Sequence, residues 1–195
     1  MFATLISSSL SRDLLPAPPL QAEQWFNTPR PIALQELRGR VVALHAFQML
    51  CPGCVSHGLP QAARMHELFP ADQLAVIGLH AVFEHHAVMQ PAVALKAFIH
   101  EYRLAFPIAI DRPDPRGGPV PLTMQALELR GTPSLILLDK QGRIRLHQFG
   151  RSDDLRIGAL IGQLIAEPFD EAAEKAVVSA CDDQGCRLPG VSERS

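Results

Sequence analysis

Gln48-Met49-Leu50-Cys51-Pro52-Gly53-Cys54-Val55-Ser56-His57 decides how the rest of the chain is read. An apolar run, Val41-Val42-Ala43-Leu44-His45-Ala46-Phe47, precedes it and has the length and continuity of a buried strand. Residues 55–69 follow with apolar positions at helical spacing: Val55, Leu59, Ala62, Met65, Leu68 and Phe69. Two cysteines therefore stand where a strand ends and a helix begins. The first N–H groups of a helix lack internal partners, and the aligned peptide dipoles make that end partly positive. A thiolate at Cys51 is stabilised there, which lowers the thiol's pKa. Pro52 suits a first helical turn, where its missing N–H costs nothing. Cys51 and Cys54 fall on one face of the helix, close enough to bridge. Cys51 reads as the exposed, attacking thiol and Cys54 as the partly buried thiol that resolves a mixed disulfide.

Other uses of two cysteines make different demands. A structural zinc site wants a second pair at matching spacing, and the remaining cysteines, Cys181 and Cys186, are distant and spaced differently. Haem attachment wants His directly after the second cysteine, where Val55 stands. Two inert core cysteines remain the plain alternative.

The 195 residues carry 18 Lys and Arg against 20 Asp and Glu, and no basic run is interleaved with aromatics, so nucleic acid is not an expected partner. No apolar stretch is long enough to span a bilayer. The first ten residues have neither the charged start nor the apolar length of a secretory signal, so a cytoplasmic protein is expected.

Residues 1–24, rich in Ser, Pro and Ala, read as an extended lead-in, with Trp25 and Phe26 docking it on the core of a domain spanning 25–168. Residues 31–34 read as a short strand, 41–47 and 74–79 as buried strands, and 80–90 as a loop holding His80, Glu84, His85 and His86. A strand–helix–strand unit of this length implies parallel strands and a right-handed crossover. Pro91 opens a helix reaching about residue 102, with Val93, Ala97, Phe98 and Tyr102 as core positions. A strand over 106–111, a Pro- and Gly-rich loop over 112–121 and a short helix over 122–129 come next. Strands over 134–139 and 144–149 are joined by Lys140-Gln141-Gly142-Arg143, with Gly142 at the position needing positive φ. Asp153-Asp154 caps a last helix ending near Ala166, and residues 169–195 form a tail holding the second Cys pair.

The order of elements, the Cys51-Pro52-Gly53-Cys54 junction, and Gly131-Thr132-Pro133 before a hydrophobic strand together resemble the thioredoxin-like superfamily, in its TlpA-like and AhpC/TSA-type redoxin branch. Leu37-Arg38-Gly39-Arg40-Val41-Val42 and Thr132-Pro133-Ser134-Leu135-Ile136-Leu137-Leu138-Asp139-Lys140-Gln141-Gly142 carry the likeness further, over roughly residues 25–166. The resemblance implies an α/β fold, a central mixed β-sheet flanked by helices on both faces. It implies a cis Thr132-Pro133 bond facing the disulfide, with backbone that pairs with a substrate chain as an added strand. It implies a thiol–disulfide oxidoreductase acting on a protein or small-molecule disulfide and recycled by an external dithiol, with no cofactor and no metal in the domain.

Three positions depart from the pattern. Leu50 precedes the first cysteine where many relatives have Trp. His45 stands where thioredoxins hold a buried acid, and reads either as a proton acceptor for Cys54 or as a hydrogen-bonded core histidine. Gln48 occupies the place, three before Cys51, of the threonine that peroxiredoxins use, which counts against the alternative of a thiol peroxidase. A non-enzymatic metal-binding or scaffold module is a further alternative. The cluster of His80, Glu84, His85 and His86 reads as a metal site, a proton relay or solvated loop residues. His57 lies one turn beyond Cys54. Cys181 and Cys186 read as a second disulfide, an electron relay or idle thiols.

Overall fold

The structure, a computed structural model, describes residues 15–169 together with the short strands at 181–182 and 185–186. The expectation for the first ten residues and most of the tail thus lies outside the described residues.

A six-stranded sheet forms the centre. Its strands are β1 (Ala22–Phe26), β2 (Val41–Phe47), β3 (Leu74–His80), β4 (Ile108–Asp111), β5 (Ser134–Leu138) and β6 (Ile144–Phe149), in the order β1-β4-β3-β2-β5-β6. β2 runs parallel to β3, and β3 to β4; the other neighbours are antiparallel, so the sheet is mixed. Every residue of β2 is buried, because the strand is covered on both faces and its apolar run needs no alternation. Its side chains divide by parity. Val41, Ala43 and Phe47 face α1 (Leu59–Leu68), α3 (Ala92–Glu101) and α5 (Asp154–Ala166); Val42, Leu44 and Ala46 face α4 (Leu122–Ala126) and a 3-10 turn over Leu34–Leu37. A short α2 (His86–Met89) lies in the insert before α3. Two further strands, β7 (Cys181–Asp182) and β8 (Gly185–Cys186), make a separate hairpin.

Five expectations are corrected. The strand at 31–34 is absent: Leu34 and Leu37 instead turn into the core from the 3-10 turn, whose period puts residues three apart on one face. One edge of the sheet is β1, which begins within the stretch read as lead-in. Asn27, at φ 56, ends β1, and its amide donates to the carbonyls of Leu104 and Phe106. On α3 the buried positions are Leu95 and Ile99, whereas Val93, Ala97 and Tyr102 are exposed. The segment holds two competing apolar stripes, and the sheet takes the one four residues apart. On α1, Leu59, Ala62 and Met65 are buried as expected but Leu68 faces solvent. His80 is the last, fully buried residue of β3 and not part of a loop.

Gly142 takes φ 71 in the β5–β6 turn, and Asp153 caps α5 by accepting from the Arg156 N–H.

Candidate active site

Cys51 follows β2 across a tight turn, its N–H donating to the Gln48 carbonyl at 3.2 Å. The chain becomes helical at Pro52, but the turn over Cys54–Gly58 is widened to the π type, with the Leu59 N–H donating back to the Cys54 carbonyl. Pro60 accounts for the widening: it has no N–H to offer the carbonyl four residues earlier. The expected helix therefore begins at the dithiol itself.

Both cysteines are free thiols, Cys54 fully buried and Cys51 half-buried. The Cys54 N–H donates to Cys51 Sγ at 3.2 Å, and that thiol donates to the Thr132 carbonyl at 3.5 Å. Cys51 thus has the helix-start amide that a thiolate needs. Cys54 sits among carbon. Burial pushes its thiol pKa up, and the hydrogen bond with the Cys51 thiol adds to the rise. The two sulfurs thus have different surroundings.

The Thr132-Pro133 bond is cis, as expected. Gly53 lets the dithiol turn approach this loop: a Cβ there would lie 3.3 Å from Pro133 Cδ. The Pro133 carbonyl is held by the Gly150 N–H at 2.8 Å. The rim is apolar, with Leu50 56% exposed on one side and Phe149 44% exposed on the other. Phe149 packs on Gly131, where a Cβ would come within 2.9 Å of the ring, and the Arg130 guanidinium lies 5.7 Å from the ring centroid.

His45 lies on the sheet face beneath this helix. A Cβ on Gly58 would be 2.5 Å from His45 Cε1 and 3.1 Å from Pro133 Cβ, so imidazole, helix and cis-proline loop meet at Gly58. Burial is the main reason His45 is pulled down to a pKa of about 4, with His57 adding repulsion. Its Nδ1 has no partner among the described residues. His57 Nε2 is 2.9 Å from the Ser152 carbonyl, so that nitrogen carries the proton. Gln61 completes the tie through Ser152 Oγ at 3.0 Å and Asp154 Oδ1 at 2.7 Å. These bonds fix the loop after β6 to the helix that carries the dithiol.

Of the insert residues, Glu84 and His85 are exposed and His80 is enclosed beside Phe47, ring centroids 5.3 Å apart. Among the described residues no three His, Cys, Asp or Glu side chains are grouped to hold a metal ion. Residue order carries no hint of Gln61, a helix residue whose partners lie far along the chain. It also hides that Gln48 and His80 are buried with side-chain nitrogens or oxygens unpartnered among the described residues.

A dithiol at a helix start, set against a cis-proline loop in this mixed sheet, defines a redox protein of the thioredoxin-like class. The chain belongs to the AhpC/TSA family, which it matches over residues 15–147. It is similar to the crystal structure of a thioredoxin-like superfamily protein, with 50% identity, 80% of this chain and 99% of that one covered, and a TM-score of 0.77. It is similar also to a thiol-disulfide isomerase from Corynebacterium glutamicum, at 49% identity over 78% of this chain and 98% of that one, with a TM-score of 0.74. The thiol-disulfide oxidoreductase ResA of Halalkalibacterium halodurans is 26% identical over 125 residues, 64% of this chain. The matched region spans 62% of the length of that curated relative. Among the described residues no helix is long and apolar enough to cross a membrane.

Proposed function

We propose that the chain is a thiol–disulfide oxidoreductase in which Cys51 attacks and Cys54 resolves. The observation that carries this is the unequal setting of the two sulfurs: an amide donor at 3.2 Å on a half-buried Cys51, and full burial of Cys54. Cys51 thiolate attacks a substrate disulfide and forms a mixed disulfide, and Cys54 then attacks Cys51 and releases the reduced substrate. An external dithiol returns the pair to the reduced state. The relatives named as oxidoreductase and isomerase support the same reading.

The substrate is a disulfide in an extended protein segment. Thr132 and Pro133 form the backbone edge beside which such a segment lies, and Leu50 and Phe149 offer it apolar contact. His45 acts as a positioning residue. Burial moves the His45 and Cys54 pKa values in opposite directions, so a proton moving from that thiol to that imidazole would climb steeply. His45 instead sets the spacing of Gly58 and Pro133.

Reduction of insulin disulfides by dithiothreitol, with the protein in catalytic amounts, tests the assignment. Cys51→Ser abolishes the acceleration, and Cys54→Ser accumulates mixed disulfides. Full turnover by Cys54→Ser overturns the resolving role. Rapid consumption of hydrogen peroxide in the absence of a disulfide substrate would replace this reading with a thiol peroxidase.

A further inference from the structure

Cys181 and Cys186 lie outside the site and outside the residues matched to the family. The hairpin of β7 and β8 sets them directly opposite each other: Cys181 pairs with Cys186, and Asp182 with Gly185. Opposed Cα atoms in an antiparallel pair stand about 4.5–5.5 Å apart. A disulfide spans Cα separations of roughly 4.4–6.8 Å. The register therefore places the two backbones at bridging distance, in a hairpin too short to be stable without a further link.

We propose that Cys181 and Cys186 form a second dithiol–disulfide couple, carried on this hairpin, that passes two electrons to the oxidised Cys51–Cys54 pair. The direction follows from what surrounds each couple in the chain. Cys51 stands at a helix start, and in the reduced form its sulfur accepts the Cys54 N–H at 3.2 Å, a contact that favours the reduced couple. Cys181 is followed by Asp182 and Asp183, whose charges disfavour a thiolate nearby. A couple whose thiolate is not favoured is the more reducing one.

The exchange balances without another reagent. A thiolate of the hairpin attacks Cys51 Sγ, the Cys51–Cys54 bond breaks, and its electron pair leaves on Cys54 sulfur, which takes a proton. The second hairpin thiol, deprotonated, attacks the hairpin sulfur of the mixed disulfide and releases Cys51 as thiolate. One disulfide is lost and one is gained; an external dithiol then reduces the hairpin. The donation rests on the proposed role of Cys51 and Cys54, whereas the existence of the hairpin couple does not.

Two full-length double variants separate these parts: Cys51→Ser with Cys54→Ser, and Cys181→Ser with Cys186→Ser. Each is equilibrated across ratios of reduced to oxidised dithiothreitol, acid-quenched, alkylated and weighed. In the first variant both hairpin thiols are expected to disappear together, within one chain, as a single two-electron step. That step is expected at a ratio about tenfold higher than the Cys51–Cys54 step of the second variant. Hairpin thiols that remain alkylated at every ratio, or that link separate chains, overturn the couple. A hairpin step at the lower ratio overturns the donation. Failure of Cys51 and Cys54 to pair shows in the second variant alone and leaves the hairpin result standing.

Discussion

Lowering the pH from 7.5 to 5 is expected to remove several kcal/mol of stability through His45 and His80. Burial holds each at a pKa of about 4 in the folded chain, against 6.5 when unfolded. The folded-state value lies below the unfolded one, so the unfolded chain takes the proton first. The stability these groups preserve is complete above about 6.5 and is lost as pH falls toward about 4. At pH 5 the loss comes to about 2 kcal/mol for each imidazole, a large share of the stability of an ordinary domain. His80 is the cleaner one to substitute, because both its ring nitrogens are buried without partners among the described residues. His80→Leu keeps nearly the same volume and removes the titration. Urea unfolding at the two pH values is the assay. The parent is expected to lose about 4 kcal/mol and His80→Leu about 2. A His80→Leu variant that loses as much as the parent would refute the account of buried, unpaired imidazoles as the source of acid sensitivity.

Substoichiometric iodoacetamide at pH 7, followed by peptide mass mapping, is expected to label Cys51 about a hundredfold faster than Cys54, which is buried and has a raised pKa. Gly58→Ala places a methyl group against His45 and Pro133 and should cost about 1–3 kcal/mol in urea unfolding. Pairing it with His45→Ala should restore part of that loss, and no recovery would mean that the contact is not what limits the position. Asp111 is buried at the end of β4 and accepts the Thr123 and Met124 N–H groups at the start of α4, both at 2.8 Å. Asp111→Ala leaves two buried donors unpaired and should cost about 3 kcal/mol, read from the denaturation midpoint.

Local chemistry was legible where the chain itself supplies the constraint. The buried run of β2, the cysteines at its end, Gly142 in its turn and Asp153 at its cap each act through neighbours within a few residues, so sequence order alone exposes them. Residues 31–34 and α3 misled for a related reason. Each has apolar residues that fit more than one period, and the choice between periods is made by the sheet they pack on. β1 carries little pattern because it is an edge strand, held by β4, and its pairing slips between Ala22 and Gln24.

The site divides along the same line. The proposed order of attack rests on helix direction, since the first of the two cysteines meets the free N–H groups, and the order of residues sets that. How closely the site is built does not follow, because its contacts close over long stretches of chain. Gly53 answers to Pro133, Gly58 answers to His45 as well as Pro133, and the loop after β6 answers to His57 and Gln61. The Pro-Gly between the cysteines then has a reason beyond any effect on potential. Proline starts the helix, and the glycine after it is the residue that meets the cis-proline loop. Reversing the two would put the larger ring where Pro133 already lies 3.3 Å from a bare Cβ. The order of that dipeptide is thus set by packing across the site, and any tuning of the thiols by these residues operates within that limit.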